Sequence, residues 1–200
     1  MALQKEYLLV LLFLIVSFSV KSQHTDLAGL DVIIWHEDYT LQWTDFTSTS
    51  SKNEKYICEA ESHIMIIGYP QTIDDKISMN LMNVFVPNNS RKTGEVSNHL
   101  LEHEQIHFNI SEYYTRLIRY YLKINNFETR VEAQAFVDIC LNMKDNSQKL
   151  YDLETEHGSN VKMQNKWKLE IRQKIEALDE YYKSNYTLEE LGRFAKRLYY

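Results

Sequence analysis

The sequence predicts an α+β domain in which a small, twisted, mainly antiparallel sheet precedes a helical half. Two periodicities and one composition argument lead there. Between residues 30 and 86 apolar and polar side chains alternate in short runs with the period of two that a half-buried strand requires. From about residue 94 the apolar positions recur at helical spacing instead. A chain of 200 residues with 44% hydrophobic and 12% aromatic content can bury a sizeable core, and five Gly and two Pro leave little room for linkers. Residues 23–200 therefore read as one domain.

The first 22 residues stand apart. Lys5 precedes an apolar run over residues 7–20, which small polar residues then close. Roughly 14 apolar residues are too few for a spanning helix, which needs ~20, so the stretch reads as a signal peptide cleaved near Ser22-Gln23. The rest holds no long apolar run, so no stable membrane insertion is expected once the leader is gone, and the protein is expected to be periplasmic or secreted. The formal charge of −6 argues against a nucleic-acid partner, because phosphate neutralisation needs a basic face and none is obvious in the sequence. Export also makes Cys58 and Cys140 candidates for one disulfide, with two buried thiols as the alternative.

Residues 30–35 form the first β-branched run, and residues 41–43 continue the alternation. A Ser/Thr-rich stretch over 47–53 must be a loop. Residues 56–69 read as a strand ended by Pro70, and residues 77–86 as another, stopped at Pro87. The first helix is expected from residue 95 or 96 to about 123, with Ile106, Ile110, Tyr114 and Ile118 inward. A second starts near Glu128, with Val131, Ala135, Phe136, Ile139, Cys140 and Met143 inward, and ends before Gly158, a residue suited to a C-terminal cap. A third spans about 161–182. Thr187 with Glu190 three residues on is the pattern of a capping box, so a short fourth helix is expected there.

The first helix contains His103-Glu104-Gln105-Ile106-His107. Residues four apart on a helix point within about 40° of each other, so both imidazoles can close on one metal ion with Glu104 beside it. This is the H-E-x-x-H pattern of zinc metallopeptidases on a zincin-like fold; in a chain of this composition a chance match is expected about 0.02 times. A catalytic zinc takes three protein ligands and keeps one position for water, so a third ligand must come from elsewhere. The metzincin position holds Tyr113, which excludes that class. Glu128 or Glu132 on the next helix and His157 beside Gly158 remain open.

Three further segments carry a resemblance. Leu41-Gln42-Trp43-Thr44-Asp45-Phe46, the run from Leu101 through Glu112, and Tyr151-Asp152-Leu153-Glu154-Thr155-Glu156-His157-Gly158 together resemble a bacterial family of exported proteins. That family is a domain of unknown function described as secreted zinc-dependent proteases, with Asp where this chain has Asn109. The resemblance implies His157 as third metal ligand, with Glu154, Glu128 and Glu132 behind it. Glu112, Glu132, Asp152 and Glu154 are candidates for hydrogen bonds to the ligating imidazoles. His157 could reach the motif only if the second helix, about 42 Å from residue 128 to 156, bends near residues 142–146. The three imidazoles are then expected to converge on a point about 2.0–2.1 Å from each.

The function expected is that of an exported zinc-dependent metallohydrolase, a peptidase acting on a peptide or protein with Glu104 as general base. Tyr151 and His99 are candidates for oxyanion stabilisation. A non-catalytic exported metal-binding or interaction module is the alternative, and a structural metal there would need a fourth protein ligand.

Overall fold

A β-hairpin comes first among the described residues: β1 (His24–Leu27) and β2 (Leu30–Ile34) pair antiparallel, Leu27 opposite Leu30. Ala28 and Gly29 both have positive φ, 55° and 90°, as a two-residue turn matched to strand twist requires. The computed structural model describes residues 24–48, 59–73 and 76–197, so the segment expected to be a signal peptide and Cys58 lie outside the described residues. Two long strands follow, β4 (Ile64–Ile73) and β5 (Lys76–Phe85), after a two-residue β3 (Ala60–Glu61). The main sheet is antiparallel in the order β1-β2-β5-β4, and β3 pairs separately with β6 (Arg91–Lys92).

β5 is buried on both faces, and the two faces serve different layers. Met79, Leu81 and Phe85 meet the long helices, whereas Met82 and Val84 pack under Phe194 of the last helix. Four helices complete the domain: α1 (Asn98–Ile124), α2 (Arg130–Thr155), α3 (Val161–Glu176) and α4 (Leu188–Arg197). Each of the first three starts on a side-chain cap, Ser97, Thr129 and Asn160, and the Thr187–Glu190 capping box forms as its spacing predicts. The α+β class is thus confirmed. Among the described residues no helix is long and apolar enough to cross a membrane.

Several local expectations are corrected. Residues 41–43 do not continue a strand, because the Asp45 carboxylate accepts from the Gln42 N–H and the Tyr39 hydroxyl and folds Trp43–Asp45 into a 3-10 turn. Pro70 does not end β4: this is an edge strand, where a residue without an N–H is tolerated. Strands β3 and β4 are separate where one was expected. Helix α3 stops at Glu176, and a 3-10 turn, Asp179–Tyr181, follows. Helix α2 runs unbroken, and its buried face is Ala133, Val137 and Cys140, so Val131, Ala135, Ile139 and Met143 point outward. Cys140 is a free, buried thiol in that face.

No bend in α2 is needed because both helices extend past the site. Ile124 to His103 is 21 residues back along α1, and Arg130 to Asp152 is 22 residues forward along α2, so both are rises of about 32 Å. Two straight antiparallel helices therefore bring Asp152 level with His103.

Candidate metal centre

His103 and His107 leave α1 on one face, as the spacing requires, and meet Asp152 from α2. His103 Nε2 lies 3.1 Å from His107 Nε2 and 3.1 Å from Asp152 Oδ1, and His107 Nε2 lies 2.8 Å from that same oxygen. These three are the described residues whose donor atoms converge as a metal site needs. A tetrahedral ion with bonds of about 2.0–2.1 Å separates its ligand atoms by about 3.3 Å, so edges of 2.8–3.1 Å fit such an ion within a few tenths of an ångström.

The third member is thus Asp152, a residue expected only to support the imidazoles, in place of His157. His157 stays at the rim, 70% exposed, with Nδ1 3.9 Å from Asp152 Oδ1. The backbone explains why. Glu156, His157 and Gly158 all have positive φ (52°, 53° and 89°), a turn that swings the His157 side chain out of the group while drawing Gly158 in. A Cβ on Gly158 would stand 3.3 Å from His103 Cγ, so the close approach needs a glycine as much as the dihedral does. The other candidates are elsewhere: Glu154 accepts from Trp167 Nε1, while Glu132 caps the far end of α2 by accepting from the Glu128 N–H.

Each imidazole is held differently. His107 Nδ1 faces Gln148 Oε1, and Gln148 Nε2 donates back to the His107 carbonyl at 2.9 Å, so Nδ1–H donates to Gln148 and Nε2 is turned to the group. His103 is fixed by packing: Tyr151 stacks on it with centroids 4.6 Å apart and planes 19° apart, and its buried Nδ1 has no hydrogen-bond partner. Tyr151 directs its hydroxyl at the His103 carbonyl, and His99 Nε2 meets the Gly158 carbonyl at 2.7 Å. Both side chains, candidates for oxyanion stabilisation, are thus turned to backbone carbonyls of the site's own framework.

Glu104 is buried on the cleft wall, where one carboxylate oxygen accepts from the Ser62 N–H at 3.1 Å just beyond β3. Among the described residues neither Glu104 nor Asp152 is paired with a lysine or arginine. Burial raises the Asp152 carboxyl, but hydrogen bonds from His103 and His107 outweigh it and hold the group well below the usual carboxylate range. Burial likewise opposes charge on His107, and Asp152 and Glu104 overcome it, so its pKa is raised. The group could hold a metal ion, and a donor set of two imidazoles and one carboxylate suits a transition metal.

Gln148 and the Ser62 N–H are functional-site groups that sequence reasoning missed. Gln148 and Asp152 lie one turn apart on α2, as do His103 and His107 on α1, and that shared spacing was the available signal. Comparison with family models, with curated proteins and with solved structures finds no match.

Proposed function

We propose that this chain is an exported, zinc-dependent metallohydrolase of zincin-like build, acting on a peptide bond, and that it is related to the family of secreted zinc-dependent proteases its motifs resemble. The observation that supports this most is the convergence of His103 Nε2, His107 Nε2 and Asp152 Oδ1 in a cleft lined by buried Glu104. Those three side chains would hold the ion, and zinc bound there lowers the pKa of water and polarises a carbonyl. Glu104 would take a proton from the attacking water as its oxygen bonds to the carbonyl carbon, and would deliver that proton to the amine nitrogen as the C–N bond breaks. Its hydrogen bond to the Ser62 N–H fixes one oxygen and leaves the other for that transfer. Gln148 keeps the His107 lone pair aimed at the ion, and Tyr151 keeps the His103 ring from turning.

Three ligands favour catalysis over a structural metal, which would take four. His157 is the side chain placed to close the site as a fourth ligand, and its outward position supports the open form. The test is metal content and peptide hydrolysis of the purified protein. We expect one zinc per chain in the wild type, none in His103→Ala or Asp152→Ala, and zinc retained with hydrolysis lost at least a hundredfold in Glu104→Gln. Full zinc in Asp152→Ala would remove Asp152 as a ligand; zinc without hydrolysis in the wild type would leave a metal-binding module.

A further inference from the structure

Helix α2 is apolar on two opposite faces. The inner one, with Ala133, Val137, Cys140 and Tyr151, is buried in the domain. On the outer one Ile139, Met143, Leu150 and Leu153 are 59%, 49%, 45% and 73% exposed. With Asn146 between them these positions advance by four, three, four and three residues, and at 100° per residue all five fall within about 80° of arc. That is the a/d spacing by which one helix packs along another, with a single polar residue in the seam. A helix apolar on both faces is buried on both, and here no described element of the chain covers the second.

We propose that this stripe is the contact of a two-fold dimer, in which α2 lies antiparallel on α2 of a second copy. Register, charge and area select a second copy. An antiparallel pair about an axis between residues 144 and 145 sets Ile139 against the partner's Leu150 and Met143 against the partner's Asn146, and the two-fold repeats each contact. Along the flank of the seam the same register brings Lys149 toward the partner's Asp138, again twice, while the seam itself holds no charge to bury. The four apolar side chains expose on the order of 400 Å² per copy, and with the flanking polar residues the pair buries roughly 1,000 Å², about the lower bound for a specific interface and suited to a weak, reversible dimer. Gln148 and Asp152 project from the opposite side of α2, so the dimer leaves the metal cleft open.

Sedimentation equilibrium of the purified protein from about 1 to 100 µM tests this. The expected result is a reversible dimer that grows no further. Leu150→Glu should raise its dissociation constant at least tenfold with an unchanged circular dichroism spectrum, because the position is solvent-facing in a single copy. Mixing Met143→Cys with Asn146→Cys under mild oxidation should give more cross-linked dimer than either variant alone. A chain that stays monomeric across the range overturns the proposal, whatever else the stripe binds. So does a dimer indifferent to Leu150→Glu, or one in which Met143→Cys cross-links best with itself, as parallel helices would.

Discussion

About two turns along α1 from Glu104 lies a second buried carboxylate, Glu112, and the two are balanced in opposite ways. Arg116 Nε donates to Glu112 at 2.9 Å, its Nη1 reaches Asp179, and its guanidinium lies over the Tyr182 and Trp35 rings. Burial pushes the Glu112 carboxyl up, while Arg119 and Arg116 hold it back. That cluster contains its own cations and ties α1 to the segment after α3. Among the described residues the His103 group instead has two carboxylates and two imidazoles with no arginine or lysine paired to them, so its positive charge comes from imidazolium or from a bound cation. One helix thus bears a charge cluster with its own arginines and another that has only imidazoles beside its carboxylates and could hold a metal ion.

The comparison breaks most visibly at Arg116. Arg116→Met leaves Glu112 buried without its nearest cation and should destabilise the fold by about 3–5 kcal/mol in urea denaturation. Replacing Glu112 and Arg116 together with Leu and Met should cost far less. If the double variant is as unstable as the single one, the cluster is not balanced within itself.

Zinc should act on the other cluster alone. At a hundredfold excess over its dissociation constant it should stabilise the wild type by about 2.7 kcal/mol, and it should do the same for Arg116→Met but not for His103→Ala. Thermal denaturation with and without metal reads this directly. Loss of the zinc response in Arg116→Met would mean that the two clusters are coupled.

Gln148→Ala sharpens the account of the His103 cluster. Removing a group that orients a ligating imidazole should weaken zinc binding about 10–100-fold, with stability in the absence of metal little changed. An unaltered affinity, measured by chelator competition, would show that packing alone orients His107.

The smallest effect is expected at the periphery, where Glu190 is a half-buried, self-balanced counterpart of Glu112. Burial raises its carboxyl, but Lys183, the Thr187 N–H and Asn80 outweigh that and bring it down to about 2. Its folded pKa lies below the ordinary value of about 4.3, so its contribution is complete above that pH and fades as pH falls toward 2. Glu190→Ala should cost about 1 kcal/mol at neutral pH, the usual worth of a cap, and should lessen the acid sensitivity of that range. Equal acid sensitivity in the two proteins would argue against the Glu190 contacts.

Sequence alone determined the parts that depend on periodicity and short-range chemistry. The switch from period two to period 3.6 placed the sheet before the helices, the Thr187–Glu190 spacing placed α4, and four-residue spacing set His103 and His107 on one face. Each is local, because a few dihedrals decide it. Tertiary structure decided the rest. Whether Ile139 or Ala133 faces the core depends on the rotation of α2 against β5 and α1, which an apolar pattern on both faces of a helix leaves open. Which residue joins His103 and His107 depends on where α2 passes α1: equal rises along two straight helices bring Asp152 to His103, and the left-handed turn at residues 156–158 carries His157 away. Those are distances between elements more than 40 residues apart in the chain, fixed by packing and by no spacing within a single helix.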